Sequence, residues 1–211
     1  MRTLFAAIAA ALIAAAGSAG AQDYPNRPIT VVVPYAAGGA VDTMARIAVA
    51  RMSELLGQQM VIENVGGAGG MTGTTRVVKA APDGYTVLLS GSAVLAQLPQ
   101  LYAKPLYNPV TDFEHVALFN DSARVLITRK DFPANNYAEF AAHMKANAAK
   151  MQYGSAGMGS GSHTCGILIE MAVGAKITHV SYRGAGPAMQ DLIAGRIDFI
   201  PEQISTATPQ I

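Results

Sequence analysis

Short apolar runs alternate with longer segments of helical period along most of the chain. Residues 29–33 (ITVVV) form a continuous β-branched run between Pro28 and Pro34, which predicts a buried strand. A glycine loop and a helical pattern over residues 41–56 follow, and Gly57 stands where the helix would end. The unit predicted here is a strand, a loop and a helix.

The same unit recurs, with strands predicted at 60–63 and 85–90 and a helix at 72–80 between them. Residues 98–119 interrupt the alternation with three prolines and predict an irregular surface segment that ends in a strand near 116–119. The alternation then resumes. Strands are predicted at 124–128, 151–155, 177–180 and 197–200, and helices after Asn136 with Glu139 as its capping partner, after Ser160 or Ser162, and at Pro187.

Alternating strands and helices favour parallel sheets covered by crossover helices, so the fold class predicted is α/β. The irregular passage divides the pattern into two groups of similar length. We therefore predict two α/β lobes, residues 22–123 and 124–211, with a hinge near Ala123–Arg124.

The amino terminus has the pattern of a cleaved signal peptide. One positive charge at Arg2 precedes an apolar run over residues 4–16, and Ala19-Gly20-Ala21 has the form that a signal peptidase recognises. The run is shorter than the roughly 18–20 residues that span a bilayer. Residues 1–21 are therefore predicted to be a signal peptide that directs export.

Composition excludes several classes of partner. Removing Arg2 with the leader leaves 14 basic residues of the original 15 against 14 acidic residues, a formal charge of zero. This balance argues against binding to nucleic acid or to an anionic membrane surface. The single cysteine, Cys165, excludes an internal disulfide and is expected to pack as a small apolar side chain. The four histidines lack ligand spacing, so we expect neither a metal nor a cofactor.

Two glycine-rich loops lie between a predicted strand and a predicted helix, in PYAAGG (34–39) and GGAGG (66–70). In open α/β sheets this edge binds ligands, and the first amides of a helix favour an anion such as a carboxylate. Neither loop fits the phosphate-binding pattern G-x-G-x-x-G, because Thr72 stands where its third glycine would be. Tight packing of helix on strand is the alternative explanation for the glycines, and the sequence leaves both open.

The segment YGSAGMGSGSHTCG (153–166) places two serines beside a histidine. Ser160 or Ser162 with His163 could form the nucleophile and base of a secreted serine hydrolase, although the pattern G-x-S-x-G is absent. The same hydroxyl groups could instead cap a helix or bind a ligand. Arg183 follows a strand, so its guanidinium could pair with a ligand carboxylate or form a salt bridge between lobes. Asp42 is expected to be a helix N-cap.

Five segments resemble, in order and spacing, the tripartite tricarboxylate transporter receptor family, the Bug-type periplasmic solute receptors. They are YPNRPITVVVPYAAGGAVDTMAR, IENVGGAGGMTGT, APDGYTVLLSGS, YGSAGMGSGSH and SYRGAGPAMQDLIAGRIDFI. The resemblance implies a type II periplasmic-binding fold, in which two α/β lobes clamp a ligand without covalent chemistry. It also implies a monomer in the periplasm that delivers a small carboxylate to the permease subunits of a tripartite tricarboxylate transporter, or serves a sensor kinase instead.

The resemblance also implies which residues bind the ligand. First-lobe loops hold one ligand carboxylate in such receptors, and second-lobe residues are where the receptors differ in ligand. Carried over residue by residue, the ligand-binding positions are Tyr35, Ala37, Gly38, Gly39, Gly67, Ala68, Gly69, Ser90 and Ser92 on the first lobe, and Ser160, Ser162, His163, Tyr182, Arg183 and Gly184 on the second.

The chain departs from the family pattern at three points. Val65 stands where the family usually has a basic residue, and Leu98 where it often has asparagine. Members of the family continue well beyond the position of Ile211. On the resemblance we therefore expect the carboxyl-terminal part of the fold to be missing, and a non-functional receptor fragment is an alternative to a working receptor.

Overall fold

The structure, a computed structural model, describes residues 24–118 and 120–208. The predicted signal peptide lies outside these residues. The described chain forms a three-stranded sheet followed by a four-stranded sheet. The first sheet contains β1 (Ile29–Val33), β2 (Met60–Asn64) and β3 (Thr86–Leu88), all parallel and in the order β2-β1-β3.

Strand β1 is the centre of the first sheet, and its side chains at positions 31 to 33 are at most 1 % exposed. Two helices, α1 (Ala40–Leu56) and α2 (Met71–Val78), connect its strands. Helix α1 ends at Gly57, whose left-handed backbone closes the helix as the sequence predicts. The strand–loop–helix units predicted for this half are confirmed within two residues at each helix end.

The second sheet contains β4 (Arg124–Thr128), β5 (Gln152–Ser155), β6 (Thr178–Ser181) and β7 (Phe199–Gln203), in the order β4-β7-β5-β6. Strand β5 is parallel to both of its neighbours, but β4 is antiparallel to β7. The prediction of parallel strands is therefore wrong for β4. The reason is that no single crossover helix joins β4 to β7, because two other strands and three helices lie between them in the chain.

Helices α4 (Tyr137–Asn147), α5 (Gly161–Val173) and α6 (Ala185–Ile193) connect the strands of this sheet, and α7 (Ile204–Ala207) follows β7. The predicted capping of α4 is confirmed, since Asn136 Oδ1 accepts from the N–H of Glu139 at 3.0 Å. Ser160, not Ser162, is the N-cap of α5. Helix α6 begins two residues before Pro187, because Gly184 takes the N-cap position.

The segment between the sheets differs from its prediction. A π-helical turn at Ala93–Gln97 and a short helix, α3 (Leu98–Leu101), replace part of the irregular segment. Leu98 is fully buried and Tyr107 is 4 % exposed, so this segment supplies core residues. The strand predicted near 116–119 is wrong for residues 116–118, which pair with no described strand and leave Val116 and Leu118 more than 90 % exposed. Phe119 lies outside the described residues.

The core joins the two sheets. One cluster of buried side chains includes Val33, Tyr35 and Leu98 from the first half together with Ala156 and Ala185 from the second. Two further clusters lie on the faces of the second sheet and one beneath the first. No helix among residues 24–118 and 120–208 is long and apolar enough to cross a membrane.

Candidate functional site

Four loops meet at the carboxyl ends of the strands. Two follow β1 and β2 in the first sheet, and two follow β5 and β6 in the second. A cavity of about 60 Å³ lies beside them, lined in the first half by the loops after β1 and β3 and not by the loop after β2. Its lining residues come from both halves: Tyr35, Gly39, Ala40, Val41, Asp42, Gly91, Ser92, Ala93, Arg124, Ala156, Ser160, Gly161, Ser162, Ala185, Glu202 and Gln203.

Glycines allow the backbones of the two halves to touch. A Cβ atom placed on Gly66 would lie 2.4 Å from the carbonyl oxygen of Arg183, and one on Gly69 would lie 2.0 Å from that of Met158. Real Cβ atoms do not approach backbone so closely, so neither position accepts a side chain in this conformation. Gly69 also has a φ of 66°, which favours glycine. The glycine-rich loop after β2 therefore serves the contact between the two halves.

This contact places three predicted binding residues away from the cavity. Gly67, Ala68 and Gly69 lie in the loop after β2, and none of them lines the cavity. Ala68 has a φ of 48°, a left-handed conformation that is uncommon for a residue with a side chain. Their role in ligand binding stays a prediction.

Tyr35, Gly39 and Ser92 are the predicted first-half residues that line the cavity. The ring of Tyr35 is buried, and burial together with the nearby charge of Glu202 raises the pKa of its phenol, which therefore stays protonated at neutral pH. Ser90 is not part of the lining, and its hydroxyl lies 3.4 Å from the carbonyl oxygen of Gly91. The phenol of Tyr35 is thus a hydrogen-bond donor at neutral pH, and its hydroxyl lies beside Gly70.

Asp42 supports the loop after β1. It is not the N-cap predicted from the sequence, because α1 begins at Ala40 and Asp42 lies in its first turn. Its carboxylate accepts from the N–H of Gly38 at 2.9 Å, from Asn64 Nδ2 at 2.9 Å and from Arg46. Burial alone would raise the pKa of Asp42, but the hydrogen bonds from Arg46, Gly38 and Asn64 lower it. The loop is therefore held by a charged carboxylate.

Ser160 and Ser162 line the cavity from the first turn of α5, and each is 1 % exposed. Ser160 Oγ accepts from the N–H of His163, the two hydroxyl oxygens lie 3.2 Å apart, and Ser162 Oγ accepts from the N–H of Ala156. These bonds orient both hydroxyl groups at the start of a helix.

The ring of His163 forms no hydrogen bond to the hydroxyl group of Ser160 or Ser162. Its Nδ1 accepts from the N–H of Gly159 at 3.1 Å, and its ring lies 4.4 Å from the ring of His179. His179 Nε2 in turn lies 2.6 Å from Ser155 Oγ. Burial and then the proximity of His163 lower the pKa of His179 to about 4, so this pair is neutral at pH 7. His163 does not line the cavity, and the predicted pairing of its ring with Ser160 or Ser162 is not formed.

The remaining predicted residues lie at the edge of the contact. Arg183 is exposed, its Nη2 lies 3.4 Å from the carbonyl oxygen of Gly66, and it does not line the cavity. Gly184 packs on the backbone of Ala36. Ala37, Gly38 and Tyr182 line a second, wider depression beside α6.

Sequence reasoning missed two charged residues of the cavity. Arg124 Nη1 lies 3.2 Å from Glu202 Oε1, and the side chains are 31 % and 6 % exposed. They come from neighbouring strands, β4 and β7, that are far apart in the chain. The available signal for Glu202 was a carboxylate that follows the apolar residues Phe199, Ile200 and Pro201.

Cys165 is half-buried in α5, and burial raises the pKa of its thiol. Within residues 24–118 and 120–208, no group of three or more His, Cys, Asp and Glu side chains is arranged to hold a metal ion.

Comparison with known proteins gives consistent matches. The model of the tripartite tricarboxylate transporter family receptors (TctC) matches residues 44–211. A relative from Agrobacterium vitis, the UPF0065 protein in the TAR-I ttuE-ttuC' intergenic region, is 46 % identical over 90 % of this chain and 55 % of its own length.

Two solved structures are similar in fold. The periplasmic binding protein BugD has a TM-score of 0.85 and 42 % identity, with 89 % of this chain and 62 % of that chain covered. MatC (Rpa3494) from Rhodopseudomonas palustris, with bound malate, has a TM-score of 0.84 and 39 % identity, covering 88 % and 63 %. The chain therefore spans about 55–63 % of the length of these proteins.

Proposed function

Because the chain belongs to the tripartite tricarboxylate transporter receptor family, we propose that it captures a small carboxylate in the cavity between its two halves. Its fold is the α/β fold of type II periplasmic binding proteins. The family and the similar structures are receptors that bind solutes, and MatC contains malate. The proposal transfers this class of ligand to the present chain.

The observation that carries the proposal is the meeting of two helix starts at one cavity. Ala40 and Val41 from the first turn of α1 line it on one side, and Gly161 and Ser162 from the first turn of α5 line it on the other. The first amides of a helix have no partner within the helix and carry a partial positive charge. A carboxylate between the two helices would interact favourably with both, and Tyr35 would donate a further hydrogen bond.

Ligand capture would work by opening and closing of the two halves. The chain passes between the sheets at Arg124 and again at Gln203, and these residues are paired in neighbouring strands. The N–H of Ile204 also donates to the carbonyl oxygen of Ala123 at 3.0 Å. Two adjacent crossings form a hinge, and a ligand that contacts both halves stabilises the closed state. The predicted hinge at Ala123–Arg124 fits this arrangement and stays a proposal.

The cellular setting follows from the family. We place the protein in the periplasm, exported by residues 1–21, as a monomer that passes its ligand to the membrane permease of a tripartite tricarboxylate transporter. Family members are periplasmic binding proteins, which supports the location. A sensor kinase remains the alternative partner, and pull-down from membranes containing either protein distinguishes the two.

The alternative function, a serine hydrolase, has less support. A nucleophilic serine needs a base within hydrogen-bonding distance. The Nδ1 atom of His163 is occupied by the N–H of Gly159, and Ser160 and Ser162 bond to each other and to backbone. Receptor function without covalent chemistry is therefore the proposal we retain.

A thermal melt of the purified chain with a panel of mono-, di- and tricarboxylates tests the function. A ligand at 100 times its dissociation constant adds about 2.7 kcal/mol to the free energy of unfolding, so binding raises the melting temperature visibly. We expect at least one carboxylate to do so, and the corresponding amides, which lack the charge, to have no effect. A cooperative melt that no carboxylate shifts would contradict the proposal. No cooperative melt at all would mean that this chain alone does not perform the function.

A further inference from the structure

One short loop of the second half, residues 156–159 after β5, touches the first half with its backbone. A Cβ atom placed on Gly157 would lie 2.9 Å from the nitrogen of Gly69. Gly159 and Gly69 also approach the same side chain, because Cβ atoms placed on them would lie 2.2 Å and 3.3 Å from Leu98 Cδ1. A shift of this loop would therefore disturb the contact between the two halves.

His163 holds the loop from within its own half. Its Nδ1 accepts from the N–H of Gly159 at 3.1 Å, and Gly159 is buried. Because the donor is a backbone N–H, Nδ1 carries no proton, and the neutral ring has its proton on Nε2. A proton added to Nδ1 would set two N–H groups against each other and leave the buried backbone donor unpaired. The bond therefore exists only while His163 is neutral.

His179 holds the same loop through Ser155. Ser155 Oγ accepts from the N–H of Gly157 at 3.1 Å and lies 2.6 Å from His179 Nε2. Among residues 24–118 and 120–208, Nε2 is the only acceptor that the hydroxyl proton of Ser155 reaches, so a proton added there would reverse this bond. The rings of His163 and His179 lie 4.4 Å apart, so a charge on one disfavours a charge on the other. Two hydrogen bonds of the loop thus depend on neutral imidazoles.

The surroundings of the two rings favour their neutral form. Burial lowers the pKa of His163, and burial together with the neighbouring ring lowers the pKa of His179 to about 4. Glu170 on α5 opposes this effect for His163, but its carboxylate accepts from a backbone N–H and not from either ring. On β5 the ring of Tyr153 lies 4.9 Å from that of His179, and burial raises the pKa of its phenol to about 12, so it is neutral.

The other elements packed against the loop and the start of α5 bring one ion pair among the described residues. The guanidinium of Arg124 rests on the first residue of α5 and is paired with Glu202 from β7. The segments that cover the loop, residues 66–70 and 98–101, contain no titratable side chain. Helix α4 packs on the other end of α5, near Val173. A proton on either ring would therefore be poorly compensated while the contact is formed.

We propose that His163 and His179 make the contact between the two halves sensitive to acid, because protonation of either ring releases residues 156–159 and lets the halves part. The release spreads to the neighbouring loop, since a Cβ atom on Gly157 would lie 3.1 Å from the carbonyl oxygen of Tyr182. The next residue, Arg183, accepts from the N–H of Ala36 across the two halves at 3.0 Å.

The direction of the effect follows from linkage. Each ring that is neutral in the contact and regains the ordinary pKa of about 6.5 on release shifts the balance toward opening about tenfold between pH 7.5 and pH 5.5. Neutral pH therefore favours the closed contact and mild acid favours the open one. The contact is present without a ligand, so this switch does not depend on the proposed receptor function.

Amide hydrogen exchange of the purified chain at pH 7.5 and pH 5.5, resolved by residue with NMR, tests the switch. Protection factors correct for the effect of pH on the exchange chemistry, and we expect those of Gly159 and Ala36 to fall tenfold or more. The N–H of Lys79 bonds to Thr75 at the end of α2 and should keep its protection. The N–H of Thr30 bonds to Tyr85 within the first half and should stay better protected than Ala36 at both pH values, because the halves part without unfolding.

A double variant separates titration from structure. His163→Asn and His179→Gln remove both protonation sites but keep an acceptor, since Asn Oδ1 can replace Nδ1 and Gln Oε1 can replace Nε2. The double variant should lose most of the acid-dependent fall at Ala36. A merely structural role for the histidines would lower protection by the same factor at both pH values and leave that fall intact. His115→Gln, on an exposed side chain, is the control and should retain the fall.

Four results would overturn the proposal. They are constant protection of Ala36 in the unmodified chain, a fall at Gly159 alone, a fall at Ala36 that the double variant retains, and equal protection of Ala36 and Thr30, which would mean that the halves part only on unfolding. A double variant that does not melt cooperatively at pH 7.5 is replaced by His179→Gln alone, which should reduce the fall. No ligand is added, so each of these results leaves carboxylate binding to be tested by the melts described above.

Discussion

The backbone N–H of Ala36 donates to the carbonyl oxygen of Arg183 at 3.0 Å, and this bond joins the loop after β1 to the loop after β6. It is a contact between the two halves that involves no side chain. Gly184 packs beside it, where a Cβ atom would lie 2.7 Å from the nitrogen of Ala36. The two halves therefore contact each other backbone against backbone, and small residues are a condition for this contact.

Gly186→Ala should weaken ligand binding without harming the helix that contains it. A Cβ atom at this position would lie 2.3 Å from the carbonyl oxygen of Ala37 across the cleft, so closure would be impeded. Alanine favours a helix over glycine by up to about 1 kcal/mol, so stability should be unchanged or higher. We expect a tenfold or greater loss of affinity, measured by calorimetry. Gln190→Ala on the exposed side of α6 is the control, and equal affinities for the two variants would argue against the closed contact.

Asp42→Asn should loosen the loop after β1. The carboxylate accepts hydrogen bonds from Gly38, Arg46 and Asn64, and hydrogen bonds to charged groups contribute about 1.5–3 kcal/mol each at most. We expect the free energy of unfolding in urea to fall by about 1–3 kcal/mol. Asp131→Asn, whose side chain is 78 % exposed beside Arg129, should change it by less than about 1 kcal/mol. Similar losses for the two variants would show that the buried hydrogen bonds of Asp42 contribute no more to stability than the exposed ion pair of Asp131.

The same carboxylate predicts an acid dependence. Because the pKa of Asp42 is lowered in the folded chain, its contribution is complete above the ordinary aspartate pKa and is lost as pH falls through the lower folded value. Asp42→Asn should therefore remove part of the loss of stability below about pH 4. Urea unfolding at pH 7 and pH 3 for the variant and the parent chain measures the difference. An unchanged acid dependence would contradict the prediction.

Protonation of His179 should lower the stability of the chain at a higher pH than protonation of Asp42 does. Burial holds its pKa at about 4, below the ordinary 6.5, so the unfolded chain binds the proton more readily. The free energy of unfolding should fall as pH decreases from 6.5 to 4, by about 2–3 kcal/mol from this group. His179→Gln, which can still bond to Ser155, should flatten that decline. His115→Gln, on an exposed side chain, should not, and a decline that is the same in all three chains would refute the assignment.

Ser162→Ala should lower stability and carboxylate affinity but abolish no reaction. Its hydroxyl oxygen accepts from the buried N–H of Ala156, and leaving that donor unpaired costs about 1–3 kcal/mol. Hydrolysis of a nitrophenyl ester should be at the background rate in the parent chain, in Ser160→Ala and in Ser162→Ala alike. Ser181→Ala, an exposed substitution, is the control for stability. Ester hydrolysis by the parent chain that is lost in Ser160→Ala or Ser162→Ala would instead support the serine hydrolase.

Local pattern was sufficient to predict most of the fold. Strand β1 is recognisable because it is apolar on both faces, and α4 because Asn136 and Glu139 mark its start. The short helix that contains Leu98 was missed because the apolar residues of this segment do not recur at helical spacing. Leu98 is buried by the turn before it and by Tyr107, and such contacts cannot be read from the local sequence. The pairing of β4 with β7 joins residues far apart in the chain, so the local sequence of neither strand predicts it.

The site was predicted only in part, because local sequence pattern identifies some of its residues and not others. Ser160 and Ser162 were found because both stand at a helix start, whereas Tyr35 came only from the family resemblance. Arg183 has an equivalent position in sequence, but its side chain is exposed outside the cavity, whereas Arg124 reaches the cavity from β4. Which of two arginines faces a ligand depends on how the halves are oriented, and short-range sequence does not contain that information.

The pairing of Arg124 with Gln203 also governs the order in which the cavity can be assembled. Each sheet contains contacts between nearby segments that can form early, but β4 must wait for β7, and long loops slow such pairing. During synthesis β4 therefore leaves the ribosome well before its partner does, and it waits as an unpaired edge. Pairing of β4 with β7 is thus a late event in folding. Substitutions that weaken this pairing would lengthen the time in which the nascent chain is open to aggregation, whatever they do to the folded protein.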